Sequence, residues 1–431
     1  MKKLILLMML YCSGSFAQSP AKTDPAVLRQ FMDMRFGMFV HWGPVSLRGT
    51  EIGWSRGNQV PAAEYDNLYK EFNPVLFNAD EWVKVAKDAG MKYLTITARH
   101  HDGFCLWPSA FTEYDIASTP YKKDVVGALA AACKKQGIKF CIYYSVLDWW
   151  HPDYPNHSST KPSIDPKSDM NKYVAYMKNQ LKELVTKYDP YMLWFDGQWE
   201  EPWTDERGRE IYAYLKQLKP SLITNNRLGK EFAAMDNKQI DHTKMVGDYD
   251  TPEQVIGKMN LTTPWESCFT ICKQWAWKPN DQLKSLETCL DILSRTAGAN
   301  GNLLLNVGPM PDGRIEARQV ARLREIGDWM RKYGTAVYGT MGGPWEPNET
   351  FAATRKGNKV FIHVLKSAEG GLTLKALPGR NISKSAIIGG SAVTTETAND
   401  ELRIKIPQQP ATLPYVIELT LDGPADQLPI L

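Results

Sequence analysis

Tyr93 to Ile116 reads YLTITARHHDGFCLWPSAFTEYDI, and the way its first half ends decides the fold. An apolar, β-prone run, Tyr93 to Thr97, gives way almost at once to Arg99, His100, His101, Asp102 and Gly103, and aromatic residues follow. Adjacent imidazoles, a carboxylate and a glycine make a poor core. They make a good rim for a pocket, because they present donors and acceptors at the end of a strand. The same succession recurs in FGMFVHWG (Phe36 to Gly43), YYSVLDWW (Tyr143 to Trp150) and LWFDGQWE (Leu193 to Glu200). In each, a hydrophobic strand turns polar and aromatic together at its C-terminal end.

Outward from these stretches, strand-like and helix-like segments alternate. Helical periodicity runs over Ala79 to Ala89, Asp124 to Gln136, Asp169 to Tyr188, Glu206 to Leu218, Asp281 to Thr296 and Glu316 to Tyr333. Gly90 and Gly137 stand where helix C-caps belong. Strands are expected at Lys139 to Tyr144, Tyr191 to Phe195, Leu222 to Asn225 and Asn302 to Val307, with weaker ones at Met245 to Asp248 and Ser267 to Ile271. Repeated βα units with polar strand ends indicate a parallel sheet. About eight strands predict a (β/α)8 barrel, with degenerate units between Asn226 and Asn260; a doubly wound open sheet is the second choice, disfavoured because no GxGxxG opens the first unit. After Gly339-Thr340-Met341-Gly342-Gly343-Pro344 the pattern changes to short alternating runs separated by Gly, Pro, Asn and Asp, which predicts an antiparallel β-sandwich. The expected divisions are an export signal at 1–17, a catalytic barrel at 18–338 and the sandwich at 339–431.

The bulk properties narrow the function. Net charge is +3 against 51 basic and 48 acidic residues, with no long basic run, which argues against nucleic acid as a partner. Tryptophans crowd between Trp42 and Trp277, and indole rings stack on the apolar C–H faces of sugars. Lys2-Lys3, the apolar run Leu4 to Tyr11 and the small residues Ser15 and Ala17 read as a cleavable signal for export to the periplasm or beyond. Leu10 and Tyr11 before Cys12 fit a lipoprotein anchor badly, and no stretch is long enough to span a bilayer. The cysteines outside the signal follow no zinc-ribbon spacing, and free buried thiols are expected.

Four of the seven histidines, His41, His100, His101 and His151, lie at or just past expected strand ends, where a barrel would gather them on one face. Neighbouring residues on a strand point to opposite faces, and no HxH or HExxH accompanies them, so a metal centre is disfavoured. Asp196, between Trp194 and Trp199 at the end of its strand, suits a nucleophile or an acid/base. Glu266, at the start of a later strand, and Glu51, in the loop after the first, are both open as a second carboxylate. Asp102, Asp148 and Glu200 are weaker candidates.

FGMFVHWG, TARHHDGFCLW, YYSVLDWW, LWFDGQWE, WESCFTICKQWAW and NLLLNVGPMPDG, in that order, resemble the retaining α-L-fucosidases of glycoside hydrolase family 29. The resemblance runs from about Phe31 to Tyr338, and a C-terminal β-sandwich is also expected of that family. It implies an exo-acting hydrolase of terminal α-L-fucose on fucosylated glycans, with no metal or organic cofactor. By the same resemblance Asp196 is the nucleophile, and WESC nominates Glu266 as the acid/base. His41, His100 and His101 would hold fucose hydroxyls, Trp194 would flank the nucleophile, and Arg227 and Tyr144 would line the pocket. Glu51, whose GTEIGW loop departs from the family's NEWY-like form, is placed with the hydroxyl-binding residues. A relative acting on L-galactose and a non-catalytic fucose-binding protein are the competing readings.

Overall fold

Seven parallel strands frame the computed structural model, which describes residues 22–431 apart from 234, 236–239, 369 and 411. The expected export signal and Cys12 lie outside the described residues. The strands are β1 (Phe36–Val40), β2 (Tyr93–Arg99), β3 (Lys139–Ser145), β4 (Met192–Asp196), β5 (Ile223–Thr224), β6 (Glu266–Thr270) and β7 (Asn302–Val307), in the order β5-β4-β3-β2-β1-β7-β6. Every residue of β1, β2, β4, β6 and β7 is buried, as expected when both faces of a parallel sheet are covered.

Between β5 and β6 the ring is closed by an irregular segment, 246–253. On one side the Asp248 amide donates to the Thr224 carbonyl (2.8 Å) and the Tyr249 carbonyl accepts from Asn226 (2.9 Å). On the other, the Asp250 and Pro252 carbonyls accept from the amides of Glu266 (2.9 Å) and Cys268 (3.1 Å). The barrel is therefore (β/α)8-like, its eighth place held by bridges in place of a continuous ladder. This is where the sequence turns degenerate.

The helices are α1 (Pro25–Met34), α2 (Ala62–Tyr65), α3 (Ala79–Asp88), α4 (Val125–Gln136), α5 (Met170–Tyr188), α6 (Asp205–Leu218), α7 (Leu286–Gly298) and α8 (Ala317–Tyr333). Asn78, Asp124, Asp169, Thr204 and Ser285 each cap a helix by accepting a first-turn amide, a contact worth about 1 kcal/mol. The helix expected from Asp281 starts five residues later because Ser285 takes the cap, accepting from Thr288 at 3.1 Å. Asp281 instead accepts the amides of Lys273 (3.0 Å) and Gln274 (2.9 Å), pinning the loop after β6.

The barrel interior is its own apolar cluster, including Phe31, Phe39, Tyr93, Tyr143, Met192, Trp194, Tyr249 and Leu304. Phe31 of α1 stops the N-terminal end, 5.7 Å from the Tyr93 ring and 4.9 Å from that of Tyr249. Tyr93 crosses the interior over Gly37, where a Cβ would run into its ring.

The C-terminal region forms two antiparallel sheets. β8 (Met341–Gly342), β9 (Phe351–Lys356), β10 (Lys359–Val364), β12 (Ile382–Ile387) and β15 (Tyr415–Leu421) make one, ordered β12-β15-β10-β9-β8; β11 (Leu372–Lys375), β13 (Thr394–Ala398) and β14 (Glu401–Lys405) make the other. The first sheet docks on the barrel helices: Trp329 of α8 donates to the Pro414 carbonyl (2.7 Å), and Thr354 of β9 to that of Ala336 (2.6 Å). Among the described residues no helix is long and apolar enough to cross a membrane.

Candidate active site

At the C-terminal end of β4 the chain places Asp196 and then turns through Gly197 in the left-handed region (φ 93°), where a Cβ would lie 2.7 Å from Leu147 Cγ. Asn225, just past β5, clamps this end: its side-chain amide accepts from the Phe195 N–H (2.7 Å) and donates to the Phe195 carbonyl (2.8 Å). Two residues on, Arg227 is fully enclosed. Its Nε donates to the Thr251 hydroxyl (3.0 Å) and one terminal nitrogen to the Thr251 carbonyl (3.0 Å). The guanidinium then pairs with two carboxylates, Asp196 Oδ1 through Nη1 (2.8 Å) and Glu253 Oε2 through Nη2 (2.9 Å). It lies 4.7 Å over the Trp194 ring. The other Asp196 oxygen accepts from the Tyr143 hydroxyl (3.0 Å) and faces His101 Nε2 at 3.6 Å.

Hydrogen bonding sets the tautomers of two histidines. The Asn306 amide donates to the Trp275 carbonyl (2.7 Å), so its oxygen is left to accept from His41 Nδ1–H (2.6 Å). Ser145 spends its proton on the Leu147 carbonyl (2.7 Å), so its oxygen accepts from His101 Nδ1–H (2.8 Å). Both rings then turn a bare Nε2 away from these partners as an acceptor. Burial pushes the His41 and His101 pKa values down to about 3, and lowers that of His100 strongly as well, so all three are neutral across the working range. His100 stacks on Tyr143 at 5.2 Å. Glu51 accepts the amides of Trp275 (3.1 Å) and Ala276 (3.0 Å) across the mouth, and burial raises its carboxyl to about 7.

His41, Glu51, His100, His101, Tyr143, Asp196 and Glu253, with Phe39, Trp54, Trp194, Trp199, Cys268 and Trp275, line one pocket, and Arg227 stands behind the two carboxylates without lining it. Among the described residues no three His, Cys, Asp or Glu side chains converge so as to hold a metal ion.

The structure thus brings together His41, Glu51, His100, His101, Trp194, Asp196 and Arg227. It leaves out Glu266 and Tyr144. Glu266 opens β6, so it lies at the far end of the strand from the pocket, fully buried, accepting from the Tyr93 hydroxyl, Trp194 Nε1 (3.1 Å) and the Tyr249 hydroxyl (3.5 Å). Its assignment as acid/base is corrected on this ground: no atom of it lines the pocket. Tyr144 faces the helices, donating to Gln180 (2.8 Å) beneath Arg99; strand alternation turns Tyr143 inward in its place. His151 packs on Tyr176 (4.2 Å), away from the site. Asp102 accepts from Tyr65 (2.6 Å), Asp148 pairs with Arg99 (3.1 Å), and Glu200 is held by three donors; none of the three lines the pocket. Glu253 was not singled out from the sequence. Its signal is faint: a carboxylate one residue past Pro252, ending a segment that only bridges to its neighbours.

Comparison with known proteins identifies the family. Residues 13–335 match the family model described as alpha-L-fucosidase. The chain is 29% identical over 430 residues to the tissue alpha-L-fucosidase of Homo sapiens, covering 90% of this chain and 88% of that one. Among solved structures, alpha-L-fucosidase isoenzyme 1 from Paenibacillus thiaminolyticus superposes with a TM-score of 0.83 at 33% identity, covering 92% of this chain and 99% of that one. A GH29 alpha-L-fucosidase from Bacteroides thetaiotaomicron, trapped as a covalent intermediate, gives 0.84 at 31% identity, covering 94% and 98%. With the pocket at the strand ends and the match extending over most of its length, the chain belongs to the α-L-fucosidases of glycoside hydrolase family 29.

Proposed function

We infer that this chain is an exo-acting, retaining α-L-fucosidase that releases terminal α-L-fucose from fucosylated glycans. One observation carries the reading: a blind pocket in which a single guanidinium holds Asp196 and Glu253 side by side, next to neutral histidines. The Bacteroides relative, trapped with 2-fluoro-fucosyl fluoride in a glutamate-to-glutamine variant, supports a double displacement.

In the first step an Asp196 oxygen attacks the anomeric carbon as the glycosidic C–O bond breaks. Glu253, carrying a proton, gives it to the departing oxygen. In the second step Glu253 takes a proton from water, which attacks the same carbon and frees Asp196. A pair of this kind works at a separation of about 5–5.5 Å, and two carboxylates on adjacent nitrogens of one guanidinium are suited to that spacing. His41 and His101 accept from sugar hydroxyls through Nε2, and Glu51 adds a further acceptor. The Lys2-Lys3 start and the apolar run behind it support export, to the periplasm or outside the cell.

Hydrolysis of a panel of nitrophenyl glycosides, followed by NMR, tests the reading. The α-L-fucoside should be cleaved with α-L-fucose as the first product. Faster cleavage of the α-L-galactoside would favour the related activity on that sugar. Fucose binding without any hydrolysis would point to a binding protein.

A further inference from the structure

The fucose pocket opens beside two tryptophans. Of its lining residues only Trp54 and Trp199 are substantially exposed, at 41% and 38%, so these two indoles bound the mouth. They stack near-parallel, 6.0 Å apart at 19°. Both continue into a second, larger hollow of about 390 Å³, walled by Trp54, Trp149, Trp199, Pro162, Ile164 and Pro202. Its floor is rigid. Glu200 accepts from Trp149 Nε1 (3.1 Å), Asn156 Nδ2 (2.7 Å) and the Tyr154 hydroxyl (2.7 Å), which ties the loop after β3 to the loop after β4. The Trp149 amide donates to the His101 carbonyl (2.9 Å), so the floor is also registered to the pocket. Exposed apolar surface of this kind on a fixed floor marks a binding site.

We propose that this hollow binds the part of the substrate that fucose is attached to, and that its occupant is an uncharged pyranose of the glycan. This rests on the fucosidase reading. Whatever is linked to the anomeric oxygen leaves past the rim formed by Trp54 and Trp199, and the surface it meets next is the hollow that both share. Flat indole and proline faces match the C–H faces of a pyranose ring. Glu200 and Glu201 both line it and the other polar groups are neutral hydroxyls and an amide, so nothing there favours a sulfated or acidic sugar.

Ile164 tests this, because it lines the hollow, does not touch the fucose pocket and is 58% exposed, so changing it does not threaten folding. Wild type, Ile164→Ala and Ile164→Arg are assayed on α-L-fucosyl fluoride and on neutral fucosyl-lactoses of each linkage. Ile164→Arg, which fills the hollow, should lower kcat/KM on the preferred fucosyl-lactose by about 10-fold, chiefly through KM, with Ile164→Ala between it and wild type. Fucosyl fluoride, whose leaving group is a single atom that does not reach the hollow, should stay within about twofold for both. Equal effects on the two substrates, or none on the oligosaccharide, would overturn the subsite and leave the fucosidase reading standing. Faster wild-type cleavage of a sialylated or sulfated fucosyl-lactose than of the neutral one would overturn the stated occupant. No cleavage of any fucoside by wild type would remove the enzyme reading itself, and the subsite with it.

Discussion

The two ends of the barrel interior hold the same kinds of side chain in opposite states. At the C-terminal end Asp196 and Glu253 are drawn to a guanidinium and partly open to solvent. Toward the other end two phenols and an indole donate to Glu266, and Phe31 stops the barrel behind. Burial raises its carboxyl to about 7. A raised pKa is often read as the mark of a catalytic acid. Here it marks a group that holds Trp194 under the pocket, while the carboxylates that meet the pocket are those beside the arginine. Access to the reacting atoms, more than acidity, separates the two ends.

The comparison breaks first at Asp196. Asp196→Gly should lower turnover of nitrophenyl fucoside roughly a thousandfold or more while leaving thermal unfolding intact, and azide should restore part of the rate as a β-fucosyl azide. Near-normal turnover would remove Asp196 from the chemistry.

Next comes the contest between the glutamates. Glu253→Ala should slow a natural fucoside by about 10²–10⁴-fold and a dinitrophenyl fucoside far less, since a good leaving group hardly needs a proton. Glu266→Gln, which keeps the contacts to Trp194 and Tyr93, should stay within a few-fold of wild type on both. The reverse pattern would return the acid/base role to Glu266.

Histidine 101 gives a smaller effect. His101→Ala removes one buried acceptor and should weaken fucose inhibition by about 1–3 kcal/mol, read as a rise in Ki.

Stability sharpens the contrast further. Because the Glu266 pKa is raised in the folded chain from its ordinary 4.5 to about 7, its contribution is fully present below 4.5 and is lost as pH rises through 7. Glu266→Gln should flatten that fall, by on the order of 3 kcal/mol at most, between urea unfolding at about pH 5 and at about pH 8. An unchanged pH profile would mean Glu266 does not titrate there. The least effect is expected from Tyr144→Phe: about 1 kcal/mol of stability from the bond to Gln180, with KM unmoved.

Most of the barrel was legible because its signals are local. Runs ending in His41, His100 and Asp196 mark strand ends, and Asn78, Asp124 and Asp169 mark helix starts that the structure keeps. What escaped depends on distance or parity. Glu253 belongs to a segment with bridges in place of a ladder, so no alternation announces it. Tyr143 and Tyr144 differ only in which face they take. The Thr-rich strand β13 buries little and has no apolar rhythm to read. Glu266 carried a warning in plain view: His41, His100, His101 and Asp196 stand at or past the ends of their strands, and Glu266 stands at the start of its own.

The stopper at Phe31 has a kinetic consequence. With the barrel closed below, everything passes the rim that Trp54 and Trp199 form, in sequence. The glycan must step out before water can step in, and fucose, lying deepest, is last to leave. Free fucose should therefore compete with substrate for the empty enzyme, while a nucleophile better than water, arriving in the interval when only the sugar ester is present, inherits the fucosyl group. The single entrance makes the order of events a property of the architecture, and it makes transfer to a second sugar a matter of which molecule stands in the doorway at that moment.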